Sequence, residues 1–186
     1  MNRAGYVLVG GRSSRMGRDK ALLPYRGIAL AEWIARAVEA AAGSATLVGS
    51  PLVSQQLQRP GISDDHPEQG PLGGIVAALR HSTAEWNLIT ACDMPGLSAD
   101  FLTRLLELAE TSGANALIPI GPSGWPEPLC AVYHRGAGPL LAAAFERGVR
   151  KVMAAAEETS PLLIPVPEIA VFENVNTPEE WAAHGG

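Results

Sequence analysis

The chain has 186 residues, of which 47% are hydrophobic and 18% charged, with a formal net charge of −5. That length suffices for one domain with a proper core, and the composition is globular, which excludes a disordered chain. The acidic balance argues against a nucleic-acid coat, and two cysteines without a C-x-x-C pattern argue against a zinc ribbon or a disulfide framework.

In chain order, Tyr6–Val9 is a short apolar run that ends on Gly10-Gly11, a first buried strand. Leu30–Ala42 carries Trp33, Ile34, Ala37 and Val38 at helical spacing and is stopped by Gly43. Thr46–Val48 reads as a second strand, and Gln55–Arg59 as a short helix before Pro60. Leu72, Ile75, Val76 and Leu79 predict a helix over 72–81. Trp86–Cys92 is the clearest buried strand. Ser98 is a good N-cap for a helix over 99–110, and a strand follows at Ala116–Ile120.

Next comes a loop crowded with Pro119, Pro122, Pro126 and Pro128, leading to a strand at Leu129–His134. Helices are expected at roughly 139–146 and 150–157, and a late strand at Leu162–Val166. Thr177-Pro178-Glu179-Glu180 has the capping-box pattern with proline at the first helical position, so a terminal helix is expected there. No linker splits the chain, so residues 1–186 are expected to form a single domain. The alternation predicts an α/β fold, a three-layer α/β/α sandwich around a mostly parallel sheet. Ligands of such sheets bind at the carboxyl ends of the strands. No apolar run reaches the roughly 20 residues a membrane helix needs, and no signal-peptide pattern is visible. The expectation is a cytoplasmic protein without membrane association.

The densest chemical signal is Gly10-Gly11-Arg12-Ser13-Ser14-Arg15-Met16-Gly17-Arg18-Asp19-Lys20, directly after the first strand. Glycines let backbone N–H groups approach an anion closely. Four cationic side chains then fall within nine residues of a net-negative chain, a match for a phosphate chain. The spacing fits neither a Walker A loop nor a Rossmann fingerprint. A second signal is Asp93, placed just beyond the Trp86–Cys92 strand and before Met94-Pro95. A carboxylate there is a candidate magnesium ligand, because magnesium favours carboxylate oxygen together with substrate phosphates. Cys92 reads as a small buried residue and not as a nucleophile. The four histidines are scattered without metal-ligand spacing.

Leu8–Lys20 resembles the L-x-G-G-x-S-x-R-M-G-x-D-K signature of molybdenum cofactor guanylyltransferases, a group with a Rossmann-like nucleotidyltransferase fold. Val9 stands where that family usually has alanine. Cys92–Pro95 matches its C-D-x-P motif, whose aspartate binds the catalytic magnesium, and Asn174–Glu180 matches its N-V-N-T-P-E-[DE] segment. The resemblance implies transfer of GMP from GTP to the terminal phosphate of molybdopterin, with release of pyrophosphate. It implies Lys20, Arg15 and Asp93 as catalytic residues, with Mg2+ on Asp93. It implies nucleotide contacts from Leu8, Val9, Gly10, Gly11, Lys20, Asp64 and Asp93, with Asp65 as the alternative to Asp64.

Asn174, Asn176, Arg150 and Lys151 are implied as substrate contacts, and Glu127 as a weaker one, within a Glu127–Tyr133 segment on the acceptor side. Gly70–Gly74 either brings a helix N-terminus to an anion or starts a closely packed helix. One family position departs: Gly49-Ser50 stands where a polar residue often meets the nucleotide. GTP and molybdopterin are the implied small-molecule partners, with transient contact to cofactor-delivery proteins and none to nucleic acid. The competing readings are cytidylyl transfer to molybdopterin, nucleotidyl transfer to a sugar phosphate, and a non-catalytic nucleotide-binding module.

Overall fold

The computed structural model describes residues 2–10, 19–66, 69–167 and 169–172. Its first strand, β1 (Arg3–Leu8), alternates side chains between two faces, as a strand must. Tyr6 and Leu8 pack into one hydrophobic cluster, and Val7 and Val9 into the other. The same division runs along β6 (Trp86–Ala91), with Leu88 in one cluster and Ile89 in the other. A sheet apolar on both faces has to be covered on both faces. Helices α1 (Leu30–Ala42) and α4 (Ala99–Ser112) cover one side; α3 (Pro71–His81), α5 (Ala137–Glu146) and α6 (Val152–Glu157) cover the other. The result is the expected three-layer α/β/α arrangement.

The sheet has seven strands in the order β5-β4-β1-β6-β8-β7-β9. These include β4 (Thr46–Gly49), β5 (Gly61–Ser63), β7 (Ala116–Ile120), β8 (Cys130–His134) and β9 (Leu162–Pro165). β1 pairs in parallel with β4 and β6, β4 with β5, and β7 with β9, while β8 runs antiparallel to both of its neighbours. β7 therefore runs in the same direction as β6, and both end at one edge. A two-stranded ribbon, β2 (Pro24–Tyr25) with β3 (Ile28–Ala29), lies outside this sheet.

Several expected bounds need correction, with β1 starting at Arg3, α5 at Ala137 and α6 at Val152, and three short strands are additions. The helix expected at Gln55–Arg59 is α2 (Pro51–Leu57), because Ser50 caps the backbone N–H of Val53 and Pro51 takes the first helical turn. Gln58 then ends the helix in the left-handed conformation. The strand expected from Leu129 begins at Cys130. β5 and the β2–β3 ribbon are too short to have shown a periodicity. The terminal helix expected from Thr177 lies outside the described residues. No helix among the described residues is long and apolar enough to cross a membrane.

Two ion pairs tie the layers together. Arg3 at the start of β1 makes a two-pronged pair with Glu110 of α4, both contacts at 2.6 Å. Arg59 beyond α2 donates to Glu32 of α1 at 2.5 and 3.1 Å. The Arg3 and Glu110 side chains are only 16% and 10% exposed, so this is not a weak surface bridge. Hydrogen bonding from Arg3 holds the Glu110 carboxyl below its ordinary range, against the opposing effect of burial. A depressed carboxyl stabilises the fold above its unfolded pKa, and that contribution is lost as pH falls through the folded value. Glu110→Gln is expected to cost about 1–3 kcal/mol at neutral pH. The deficit should shrink toward zero as the pH drops below about 4. Thermal denaturation of both proteins across that range checks it.

Candidate functional site

Because β1 is flanked by two parallel strands, three chain exits lie side by side at the carboxyl edge of the sheet: Val9-Gly10, Gly49-Ser50 and Cys92-Asp93. The exits are laced together. Val9 N donates to Val48 O at 2.8 Å, and Cys92 N donates to Leu8 O at 3.2 Å. Gly49 has φ +119°, and a Cβ there would sit 3.0 Å from Gly10 N and 3.1 Å from Gly10 Cα. Backbone meets backbone at that point. The polar side chain expected of the family at Gly49 would collide with the Gly10 turn, and Ser50 beside it is used as a helix cap.

Lys20 reaches this edge from a 3-10 turn, Lys20–Leu22. Asp19 starts the turn by accepting from Ala21 N at 3.1 Å, and Ala21 is buried beneath it. Lys20 Nζ then donates to Asp93 Oδ2 at 3.0 Å, with the two side chains 13% and 27% exposed. The segment after Asp93 is fixed as well. Trp33 of α1 donates its indole N–H to Pro95 O at 3.0 Å, and Leu97 N donates to Met94 O at 3.1 Å. Glu127, in the loop between β7 and β8, completes the charged group. Its carboxyl is pushed above the ordinary range, first by desolvation and then by the negative charge of Asp93. The edge thus holds two mutually repelling carboxylates with Lys20 bonded to one of them.

Asp64 leaves β5 at the same edge. Its Oδ1 accepts from His66 N at 2.8 Å, and a Cβ on Gly73 would lie 3.0 Å from that oxygen. Asp64 is half-buried against the start of α3, whereas Asp65 is exposed. Gly73 therefore serves close packing between the Asp64 carboxylate and the helix.

Arg150 lies in the loop before α6. Its guanidinium donates to Phe145 O, Val149 O and Gln69 Oε1, and stacks 4.2 Å from the Phe145 ring. It ties the loop before α3 to the loop before α6, and Lys151 is the exposed N-cap residue of α6. Leu8, Val9, Gly10, Lys20, Asp64 and Asp93 are thus brought to one edge, and Arg150 and Lys151 flank the α3 side of it. Gly11, Arg15, Asn174 and Asn176 lie outside the described residues. Phe172 is packed against Gly121, with 3.1 Å from Phe172 Cδ2 to a Cβ built there, so the chain is delivered next to the β7–β8 loop just before Asn174.

Sequence reasoning passed over Asp19, Trp33 and the reason for Gly49. The Asp19 signal was available, since an aspartate before Lys-Ala-Leu is a cap-forming pattern. The other two depend on which loops the sheet order places together.

A model of the MobA-like NTP transferase domain matches residues 5–160. A molybdenum cofactor guanylyltransferase of Vibrio atlanticus is 31% identical over 183 residues, covering 96% of this chain and 93% of that protein. The crystal structure of molybdopterin-guanine dinucleotide biosynthesis protein A from Archaeoglobus fulgidus superposes with a TM-score of 0.83 at 30% identity, covering 97% of this chain and 96% of that one. A Mycobacterium tuberculosis protein solved in complex with manganese shares the fold at 16% identity and TM-score 0.72, covering 99% of this chain and 98% of that one.

The thiols stand apart from this chemistry. Cys92, expected to be buried, is half-buried; desolvation, followed by the Asp93 charge, pushes its thiol up to about 12. Burial raises Cys130 further. Neither forms the thiolate a nucleophile needs near neutral pH. Iodoacetamide at pH 8 is expected to leave both unmodified in the folded protein. Rapid stoichiometric labelling of Cys92, read by mass spectrometry, would contradict that.

Proposed function

The chain belongs to the MobA-like NTP transferase family, a nucleotidyltransferase family, and on that footing we propose that it transfers GMP from GTP to the terminal phosphate of molybdopterin. The observation that carries this reading is the Lys20–Asp93 pair at the junction of β1 and β6. One cation and one carboxylate are held 3.0 Å apart, at the edge where the exposed Gly10 follows β1.

In this reading a phosphate oxygen of the acceptor attacks the α-phosphorus of GTP in line. A new P–O bond forms to the acceptor. The bond to the bridging oxygen breaks, and its electron pair leaves with pyrophosphate. The attacking oxygen is already anionic, so no strong base is required, and the protein's task is positioning and charge neutralisation. Lys20 exchanges its Asp93 partner for phosphate oxygens, joined by Arg15 and by the amides of Gly10 and Gly11. Asp64, against the start of α3, contacts the nucleotide. Asn174 and Asn176 meet the substrates. Arg150 and Lys151 serve the acceptor phosphate from the α3 side. Nucleotide transfer in this domain takes place in the cytoplasm.

The donor set suits Mg2+. No group of three or more His, Cys, Asp or Glu side chains is gathered among the described residues, and magnesium needs only one or two carboxylates beside water and substrate phosphates. Asp93 is a partly exposed oxygen donor whose charge already disfavours ionisation of Glu127, a repulsion that a cation relieves. Mg2+ held by Asp93 would supply charge stabilisation on the phosphate oxygens.

Pyrophosphate release measured with molybdopterin, Mg2+ and either GTP, CTP or ATP tests the reading. Release is expected with GTP alone, whereas release with CTP would overturn the base assignment. Lys20→Ala is expected to lower turnover by about 10²–10³-fold, the scale of one lost electrostatic donor, with the melting temperature retained. Turnover near that of the unmodified protein would remove Lys20 from the site.

A further inference from the structure

The loop between β7 and β8 opens at the same edge as Asp93, because β7 runs parallel to β6. It is rigid. Gly121-Pro122-Ser123-Gly124 closes a β-turn through Gly124 N donating to Gly121 O at 2.9 Å. The chain then folds back along β7, with Gly121 N donating to Trp125 O at 3.1 Å and Glu127 N donating to Pro119 O at 2.8 Å. These bonds frame an antiparallel bridge between Ile120 and Pro126. Residues on either side of a bridged position project to the same face, so Trp125 and Glu127 stand together. Trp125 is 73% exposed, the most exposed of the large hydrophobics among the described residues. Glu127 is half-buried and close enough to Asp93 for its carboxyl to feel that charge.

We propose that Trp125 and Glu127 form the ring site of the acceptor: Trp125 stacks on a planar pterin-type heterocycle, and Glu127 accepts hydrogen bonds from its ring N–H and amino donors. This rests on the reading above that the acceptor is a molybdopterin. The indole offers a flat face on a loop that loses little freedom on binding. The two carboxyl oxygens of Glu127 are spaced to accept from the adjacent N–H and N–H2 donors of a 2-amino-4-oxo ring. Because the β7–β8 loop opens at the edge where β6 delivers Asp93, a ring bound there lies on the side of the sheet at which transfer is proposed.

Tryptophan fluorescence of the full chain, titrated with a free 2-amino-4-oxopteridine, tests the site without GTP. Quenching is expected in the unmodified protein, lost in Trp125→Ala and restored in Trp125→Phe when binding is read by competition. In the transfer reaction, Trp125→Ala and Glu127→Gln are each expected to raise the acceptor KM about three- to tenfold, the scale of one aromatic stack, while the GTP KM moves less than twofold. Absence of quenching in the unmodified protein, or an acceptor KM unchanged in both variants, would overturn the ring site. An enzyme that guanylylates molybdopterin with such unchanged variants keeps the proposed function and loses only this site. An enzyme that binds the pteridine through Trp125 yet uses CTP keeps the site and loses the base assignment.

Discussion

Everything at the carboxyl edge depends on β1 being paired in parallel on both sides. A strand with one parallel neighbour brings two loops together; with two neighbours it brings three. The chain exits after β1, β4 and β6 are bonded together, because Val9 N donates to Val48 O and Cys92 N donates to Leu8 O. Gly49 follows from that crowding, since its φ is +119° and a Cβ there would sit 3.0 Å from Gly10 N. The exposed backbone of Gly10 beside it suits a phosphate chain.

Charge at this edge is arranged against the character of the whole chain. The protein carries a net −5, yet its densest cationic run begins where β1 ends. Lys20 is held over Asp93 by a capped turn with a buried alanine at its base, so neither charge is left bare in the absence of substrate. Glu127 experiences the same site from the other side, through β8 and the loop before it. In the proposed reaction a triphosphate takes the place of Asp93 as the partner of Lys20, and the acceptor takes the flank formed by the β7–β8 loop.

Much of this was legible in the residues. Period-two and period-3.6 apolar runs located most strands and helices, and glycine stops and serine caps set several boundaries. The elements that escaped are short or held by neighbours: Gly61–Ser63 has one apolar side chain and becomes a strand only because β4 is beside it. The reversed direction of β8 leaves no trace in periodicity, yet it brings Glu127 to Asp93. At the site, Asp93 and Lys20 were readable because a carboxylate ending a buried strand and a lysine ending a glycine turn have chemical meaning alone. The choice between Asp64 and Asp65 was not readable, since only the contact with Gly73 separates them. Trp125 was invisible among prolines and glycines until the bridge at Pro126 placed it beside Glu127.

The most direct measurement is a crystal structure with a non-hydrolysable GTP analogue and manganese, read by anomalous scattering. The metal peak is expected within ligand distance of Asp93, with Lys20 turned from Asp93 to the phosphates and the triphosphate along the Gly10 turn. A nucleotide bound at another edge of the sheet, or a Lys20–Asp93 pair left intact beside a bound triphosphate, would contradict the assignment.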